Sequence, residues 1–119
     1  MTNGEFLYLN SRDELLRLDI NKIVFFEGDG NYTNIVSANK LKGVVCMNLA
    51  RVQGVLDEKL REHAIIFARV GKRYIVNLNF IYSINLSKQR LILSDGYMFV
   101  YQLDIAKDAL KELKELHSK

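Results

Sequence analysis

Few side chains in this sequence have the types and spacing that catalysis requires. The candidates for acid–base chemistry are His63, beside a charged stretch, and His117, close to the last residue, and neither lies in a recognisable motif. The single cysteine, Cys46, lies in the apolar run Val44–Met47, which predicts a buried structural thiol and not a nucleophile. The sequence therefore predicts a protein without enzyme activity and without catalytic residues.

Two glycine-containing turns share features with ligand-binding loops but lack essential parts of them. Gly28 and Gly30 could begin a dinucleotide loop, but the third glycine is missing and the segment leads into a strand-like run. Asp29 to Asn31 could begin a calcium loop, but the later glycine and the glutamate at its twelfth position are absent. We therefore expect no metal site and no cofactor.

The segment Phe67–Asn77 has the strongest potential for binding chemistry. Two β-type runs meet at Gly71, with Lys72 and Arg73 beside it, and a glycine at such a point indicates a tight turn. Cationic side chains on the turn of a rigid sheet are suited to reach phosphates or a base edge. An ordinary hairpin tip with solvated Lys and Arg side chains explains the same pattern equally well.

Charge is distributed unevenly along the chain, although the net charge is only +3. Residues 1–37 carry three basic and six acidic residues, which gives −3, whereas residues 38–93 carry ten basic and three acidic residues, which gives +7. A basic middle is typical of a surface that binds the phosphate backbone of nucleic acid. Lysines scattered over a solvated sheet surface would give the same distribution.

These residues must be positioned by a mainly β scaffold. Alternating apolar and polar residues between turn residues predict a strand at 6–9, a hairpin over 22–37 that turns at 28–31, and further strands at 42–47, 65–70, 73–77, 81–86, 90–94 and 97–101. A helical period predicts a short helix near 48–59 with Asn48 as its N-cap, and a C-terminal helix near 103–117. Ser11 to Glu14 could form a capping box that opens a third helix, but Leu15, Leu16 and Leu18 also fit a strand.

The length and composition of the chain are typical of a small globular protein. Its 119 residues, 49% hydrophobic and 26% charged, predict a single globular domain over 1–119. One cysteine excludes an internal disulfide, and no apolar run is long enough to be a membrane helix or a signal peptide. We therefore expect a cytoplasmic protein with no membrane association.

Four blocks of residues together resemble the LytTR DNA-binding domain, the output module of many bacterial response regulators and other transcription regulators. They are Asp19–Ile23 running into Phe25–Tyr32, the short helix containing Leu49, Val52 and Leu56, the segment Phe67–Asn77 ending in Tyr-Ile-Val-Asn, and the Asp95–Gly96 hairpin followed by the last helix. The blocks have the order and separations of the family, and the resemblance covers residues 5–116.

The resemblance implies an elongated, mainly antiparallel β fold whose loops enter successive major grooves of double-stranded DNA. Matched position by position, it assigns base reading to Thr33, with Asn31 and Asn34 as neighbours. It assigns a base or backbone contact to Lys72 and phosphate contacts to Arg69 and Arg73. The third DNA-binding loop usually carries a serine and then an arginine, and Gln102 is the nearest polar residue here.

The chain departs from the family pattern at the proposed loops. Many members have histidine where this chain has Gly71 and serine where it has Arg73, and the arginine expected near Gln102 is absent. Without that arginine a bidentate guanine contact is lost, so Gln102 either favours adenine or leaves the position without a base contact.

Two functions are consistent with this pattern. The first is a sequence-specific transcription regulator that binds promoter direct repeats as two copies, with a homodimer forming on DNA. The second is a protein-interaction module that keeps the LytTR fold, has lost base readout and acts on another regulator. No receiver domain fits ahead of the module in 119 residues. If the sequence is complete, expression level, oligomerisation or a regulatory protein partner must therefore control it.

Overall fold

The computed structural model describes residues 6–117, and the remaining residues of the predicted domain, 1–5 and 118–119, lie outside that range. Within 6–117 the chain forms ten strands and two α-helices, with short 3₁₀ segments at Arg61–Ile66 and Leu78–Phe80. The elements are β1 (Phe6–Asn10), β2 (Leu15–Asp19), β3 (Ile23–Asp29), β4 (Tyr32–Ser37), β5 (Lys42–Val45), α1 (Leu49–Leu60), β6 (Phe67–Val70), β7 (Tyr74–Asn77), β8 (Ile81–Asn85), β9 (Arg90–Ser94), β10 (Val100–Asp104) and α2 (Lys107–His117).

All pairs of strands are antiparallel, and they form three sheets. The largest has the order β5-β4-β3-β7-β6, a second has the order β10-β9-β8, and β1 and β2 form a hairpin. This arrangement confirms the mainly antiparallel β fold that the sequence predicts.

Strand β3 lies at the centre of the large sheet and is covered on both faces. Ile23 and Phe26 pack into a core formed with β1, β2 and α1, whereas Val24 and Phe25 pack into a second core formed with β8, β9, β10 and α2. The register shifts between Ile23 and Phe25, and this irregularity accounts for the break in strict alternation. Burial on both faces explains why β3 begins as a continuous apolar run.

Helix α1 begins where the sequence predicts. The side-chain oxygen of Asn48 accepts a hydrogen bond from the backbone N–H of Arg51 at 2.8 Å, which satisfies one of the free donors of the first turn. The residues at the helical period, Leu49, Val52, Leu56 and Leu60, are all buried. A Cβ atom on Gly54 would face open space, so no close contact requires glycine at this position of the helix.

The C-terminal part differs from the predicted boundaries. Residues 100–104 pair with β9, so β10 lies three residues later than predicted and α2 begins at Lys107 instead of residue 103. The physical reason is a turn at Asp95. Its carboxylate Oδ1 accepts hydrogen bonds from the backbone N–H groups of Tyr97, Met98 and Phe99, so these residues belong to the turn and not to the strand. Leu103 is still buried, but as part of a strand.

The structure decides the choice between strand and helix at Leu15–Asp19, and it contradicts the buried thiol predicted at Cys46. Leu15–Asp19 pairs with β1, so the alternative of a third helix is wrong. The side chain and backbone N–H of Ser11 instead bond to the Glu14 carbonyl and form the turn between the strands. Cys46 is exposed, so the prediction of a buried thiol is also wrong, because β5 ends at Val45 and the chain bends toward α1 there.

Neither α-helix within residues 6–117 is long and apolar enough to cross a membrane. Among the same residues, His, Cys, Asp and Glu side chains form no group of three or more that could hold a metal ion.

Candidate nucleic-acid interface

Two turns predicted to carry binding residues meet at one end of the large sheet. Since β3 is antiparallel to both β4 and β7, the β3–β4 turn and the β6–β7 turn lie side by side. Glu27 pairs with Tyr74 across β3 and β7, and the Gly28 N–H donates to the Arg73 carbonyl at 2.7 Å. We refer to the two turns, residues 29–32 and 71–73, as the turn edge.

Each turn contains a residue with a positive φ, a backbone conformation that favours glycine. Gly30 has φ of 61° and Gly71 has φ of 64°. A Cβ atom on Gly71 would lie at an ordinary van der Waals distance of 3.8 Å from Cβ of Ala109 in α2, so backbone conformation and not space restricts this position. The turns present Asn31, Lys72 and Arg73 to solvent.

Arg73 is tied back to the sheet by an acidic residue. Its Nη2 donates to Oε2 of Glu27 at 2.9 Å, and its guanidinium carbon lies 5.8 Å from the centre of the Tyr74 ring. The Tyr74 hydroxyl lies 3.5 Å from the same Glu27 oxygen. Burial raises the pKa of Tyr74, and the negative charge of Glu27 raises it further, so the phenol is protonated at neutral pH.

Arg69 supports the second turn from the opposite face of the sheet. Its Nη1 donates to Oε1 of Gln53 in α1, and its Nη2 donates to the Lys72 carbonyl, both at 3.0 Å. The side chain remains exposed. The structure therefore brings Arg69, Lys72 and Arg73 to the same end of the large sheet, and their contacts with DNA stay a prediction.

The first turn of α1 lies against the same end of the sheet. A Cβ atom on Gly28 would lie only 3.0 Å from Cβ of Leu49, so the small residue at 28 allows the helix to approach β3. Exposed Arg51 lies in this turn of the helix, and sequence reasoning missed it as a candidate. The N-cap residue Asn48 predicts where the helix begins, but the sequence does not predict which strand the helix approaches.

Thr33 and its neighbours occupy three different environments. Thr33 is fully buried and its hydroxyl donates to the Met47 carbonyl at 2.8 Å, so the structure does not present it to a ligand, contrary to the predicted role as a base reader. It instead fastens β4 to the segment that leads into α1. Asn31 is exposed in the turn, and Asn34 is half-buried and pairs with Glu27.

Gln102 belongs to a strand and not to either turn. It is an exposed residue in the middle of β10, where it pairs with Ile92, and its neighbours Tyr101 and Leu103 face the second core. Strand β10 lies close to the turn edge, because the ring centre of Tyr101 lies 5.4 Å from that of Phe25, which in turn lies 6.0 Å from the ring centre of Tyr74. Sequence reasoning missed Glu27 and Tyr74 as site residues, although both belong to the quoted LytTR blocks.

Comparison with known proteins identifies the family. The family model of the LytTr DNA-binding domain matches residues 13–118. A heme-containing CO-sensing transcriptional regulator, RcoM 1 of Paraburkholderia xenovorans (strain LB400), is 30% identical over 109 residues, which cover 88% of this chain and 37% of that protein.

A solved structure shares the fold. It is the LytTr DNA-binding domain of a protein from Bacillus cereus described as a methyl-accepting/DNA response regulator. It matches with a TM-score of 0.65 and 18% identity, over 99% of this chain and all of that one. Because the family model matches nearly the whole length of the chain, the chain belongs to the LytTr DNA-binding domain family.

Proposed function

We propose that this chain binds double-stranded DNA sequence-specifically through the turn edge and acts as a bacterial transcription regulator. The observation that carries the proposal is the meeting of two adjacent turns, with Arg69, Lys72, Arg73 and the Asn31 amide, at one end of the large sheet. Family membership supports DNA binding, and similarity to a transcriptional regulator supports the regulatory role.

The residues of the turn edge divide between positioning and reading. Lys72 and Arg69 are suited to phosphates, which fix the register of a protein on the duplex without carrying sequence information. The amide of Asn31 has the donor and acceptor pair that recognises the N6 and N7 atoms of adenine. Turns of this size can enter a major groove about 12 Å wide, so the proposal places both turns there.

Residues away from the turn edge have secondary roles in the proposal. Thr33 acts indirectly, because its hydrogen bond to the Met47 carbonyl sets the position of β4 behind the Asn31 turn. Asn34 lies next to Glu27 across the strand pair, where it supports the same turn. Gln102 makes a third contact with DNA, beyond the first groove, where its amide favours adenine.

The proposal also includes the partners that the family resemblance implies. Two copies bind direct-repeat half-sites, in the cytoplasm, and no cofactor takes part in the contact with DNA. The chain spans 37% of the length of the curated relative that it matches. Heme binding and CO sensing are properties of that relative.

Selection of bound duplexes from a random pool tests the proposal. We expect an enriched motif in two repeated half-sites, and an affinity for that motif that falls steeply with salt concentration, since several cations contact phosphates. Failure to retard any duplex at about 50 mM salt would contradict DNA binding. Capture of a protein regulator under the same conditions would then favour the protein-interaction module.

A further inference from the structure

Glu27 is an acidic residue at an edge proposed to bind a polyanion. Its side chain is 28% exposed, whereas the side chain of Arg73, its partner at 2.9 Å, is 66% exposed. Glu27 is therefore the more buried partner of the ion pair, and most of the Arg73 side chain remains accessible. A carboxylate at this edge opposes phosphate binding by charge repulsion, so its contacts with neighbouring residues must be considered.

Three contacts restrict the conformation of Arg73. Its carbonyl accepts the Gly28 N–H, its Nη2 donates to Glu27, and its guanidinium lies near the Tyr74 ring. An unrestrained arginine has many rotamers, and their loss on binding opposes affinity. The contacts with Glu27 and Tyr74 order the side chain before any ligand arrives, while most of the guanidinium remains exposed.

The ion pair also changes the kind of ligand that Arg73 prefers. Glu27 offsets the positive charge of Arg73, so the pair attracts a phosphate less strongly than the unpaired charge of a lysine would. The planar guanidinium fork keeps its other donors, and a fork held in one orientation matches the O6 and N7 acceptors of guanine. An oriented, charge-compensated arginine is thus better suited to a base edge than to the phosphate backbone.

We propose that Glu27 is a positioning residue that determines specificity, by holding Arg73 as a reader of a base edge. The inference rests on the proposed DNA binding through the turn edge, and it revises the phosphate contact that the family resemblance implied for Arg73. Glu27 itself touches no DNA. Its effect is carried through Arg73, while Lys72 supplies the unspecific attraction on the same turn.

Measuring affinity for two duplexes, the sequence selected from the random pool and a scrambled version, tests this role. For Glu27→Gln we expect the ratio of specific to unspecific affinity to fall about tenfold, the size of one bidentate base contact. Affinity for the scrambled duplex should rise severalfold, and its salt slope should steepen by about 1, because Arg73 becomes free to contact phosphate.

Two further variants separate this role from a purely structural one. In an Arg73→Ala background, Glu27→Gln should leave the affinity ratio unchanged, since Glu27 acts through Arg73. Glu27→Asp keeps the charge but shortens the side chain, so it should lower the ratio without steepening the salt slope, and it replaces Glu27→Gln if that variant fails to fold. Lys72→Ala is the matched control, and it should weaken binding to both duplexes by similar factors.

Three results are distinguishable. A Glu27→Gln protein that keeps the affinity ratio within twofold, or loses affinity for both duplexes equally, overturns the role of Glu27 and leaves DNA binding in place. The same holds if Glu27→Gln changes the ratio equally with and without Arg73. If the wild-type chain binds neither duplex, the proposed function itself is wrong and this inference is wrong with it.

Discussion

The two ends of the β3–β7 strand pair are held together in different ways. At the turn edge, the contacts are the exposed ion pair between Arg73 and Glu27 and the Gly28–Arg73 backbone bond. At the opposite end, which we call the far end, the fully buried Asn77 donates from Nδ2 to the Ile23 carbonyl and accepts the Asn79 N–H, both at 2.9 Å. The side-chain contacts between the two strands are thus buried at the far end and exposed at the turn edge.

The surfaces at the two ends differ as well. The turn edge exposes basic and amide side chains together with Asp29, whereas apolar side chains line a groove near the far end, where Leu41, Tyr97 and Met98 are all more than half exposed. Three basic residues, Arg17, Lys22 and Lys42, also line that groove, together with Asp19 and Asp95. The two ends therefore differ in the apolar surface that they expose, and the proposed phosphate contacts lie at the turn edge.

The largest expected effect is a loss of stability at the far end. Asn77→Ala leaves the Ile23 carbonyl and the Asn79 N–H without their partner, so we expect the free energy of unfolding in urea to fall by about 3 kcal/mol. Asn79→Ala, at an exposed position next to it, is the control and should change stability by less than about 0.5 kcal/mol. Equal effects from both variants would show that Asn77 does not anchor β7.

The second effect is a loss of DNA affinity at the turn edge. Replacing Lys72 and Arg73 together by alanine should weaken binding to the selected duplex about 30-fold and make the salt slope less negative, as measured by fluorescence anisotropy at several salt concentrations. Replacing Lys22 and Lys42 together removes the same charge from the far end. If this second pair weakened binding as much, the contrast between the two ends would be wrong.

The third prediction concerns Thr33, which lies near the turn edge but inside the protein. Thr33→Val keeps the shape of the side chain and removes the donor to the Met47 carbonyl, so we expect a loss of about 1–2 kcal/mol in urea unfolding. The preferred DNA sequence should not change, because the side chain is buried. A changed base preference with unaltered stability would instead restore Thr33 as a direct reader.

A smaller effect is expected at the glycine of the second turn. Gly71→Ala places a Cβ on a residue with φ of 64°, which should lower stability by about 1 kcal/mol. Gly54→Ala in α1 faces open space without a positive φ, so it should raise stability by up to about 1 kcal/mol. Opposite signs in thermal unfolding confirm that the turn requires a left-handed residue, and equal signs contradict it.

The smallest effect is a pH dependence near the far end. Although burial acts to raise it, the pKa of Asp95 is lowered overall because the backbone N–H groups of Tyr97, Met98 and Phe99 bond to the carboxylate. A lowered pKa in the folded state means that the contribution is present above the ordinary pKa and is lost as pH falls below about 4. Asp95→Asn should remove this part of the acid sensitivity, which unfolding midpoints at pH 3 and pH 6 would show.

Local patterns were sufficient to predict most of the scaffold. Alternation and turn residues located the β3–β4 hairpin, and the apolar period with Asn48 located α1, because both depend on residues close in sequence. The start of α2 could not be predicted in this way. A helical period also fits residues 103–106, and only pairing with β9 decides that residues 100–104 form a strand.

The site depended more on long-range structure. The pairing of Glu27 with Arg73 joins residues 46 positions apart and follows from the register of β3 against β7, which no local pattern shows. The sequence partly indicates the burial of Thr33, since this residue shares a face with Ile35 in an alternating strand. Family resemblance alone assigned it to the DNA surface.

The central claim is that the turn edge is the DNA-binding surface, and NMR titration of the ¹⁵N-labelled chain with the selected duplex tests it most directly. We predict that the largest amide shift changes fall on residues 29–34 and 70–74 and that residues 37–42 and 95–98 change little. Changes confined to the far end, or to the outer face of the β8–β10 sheet, would contradict the claim.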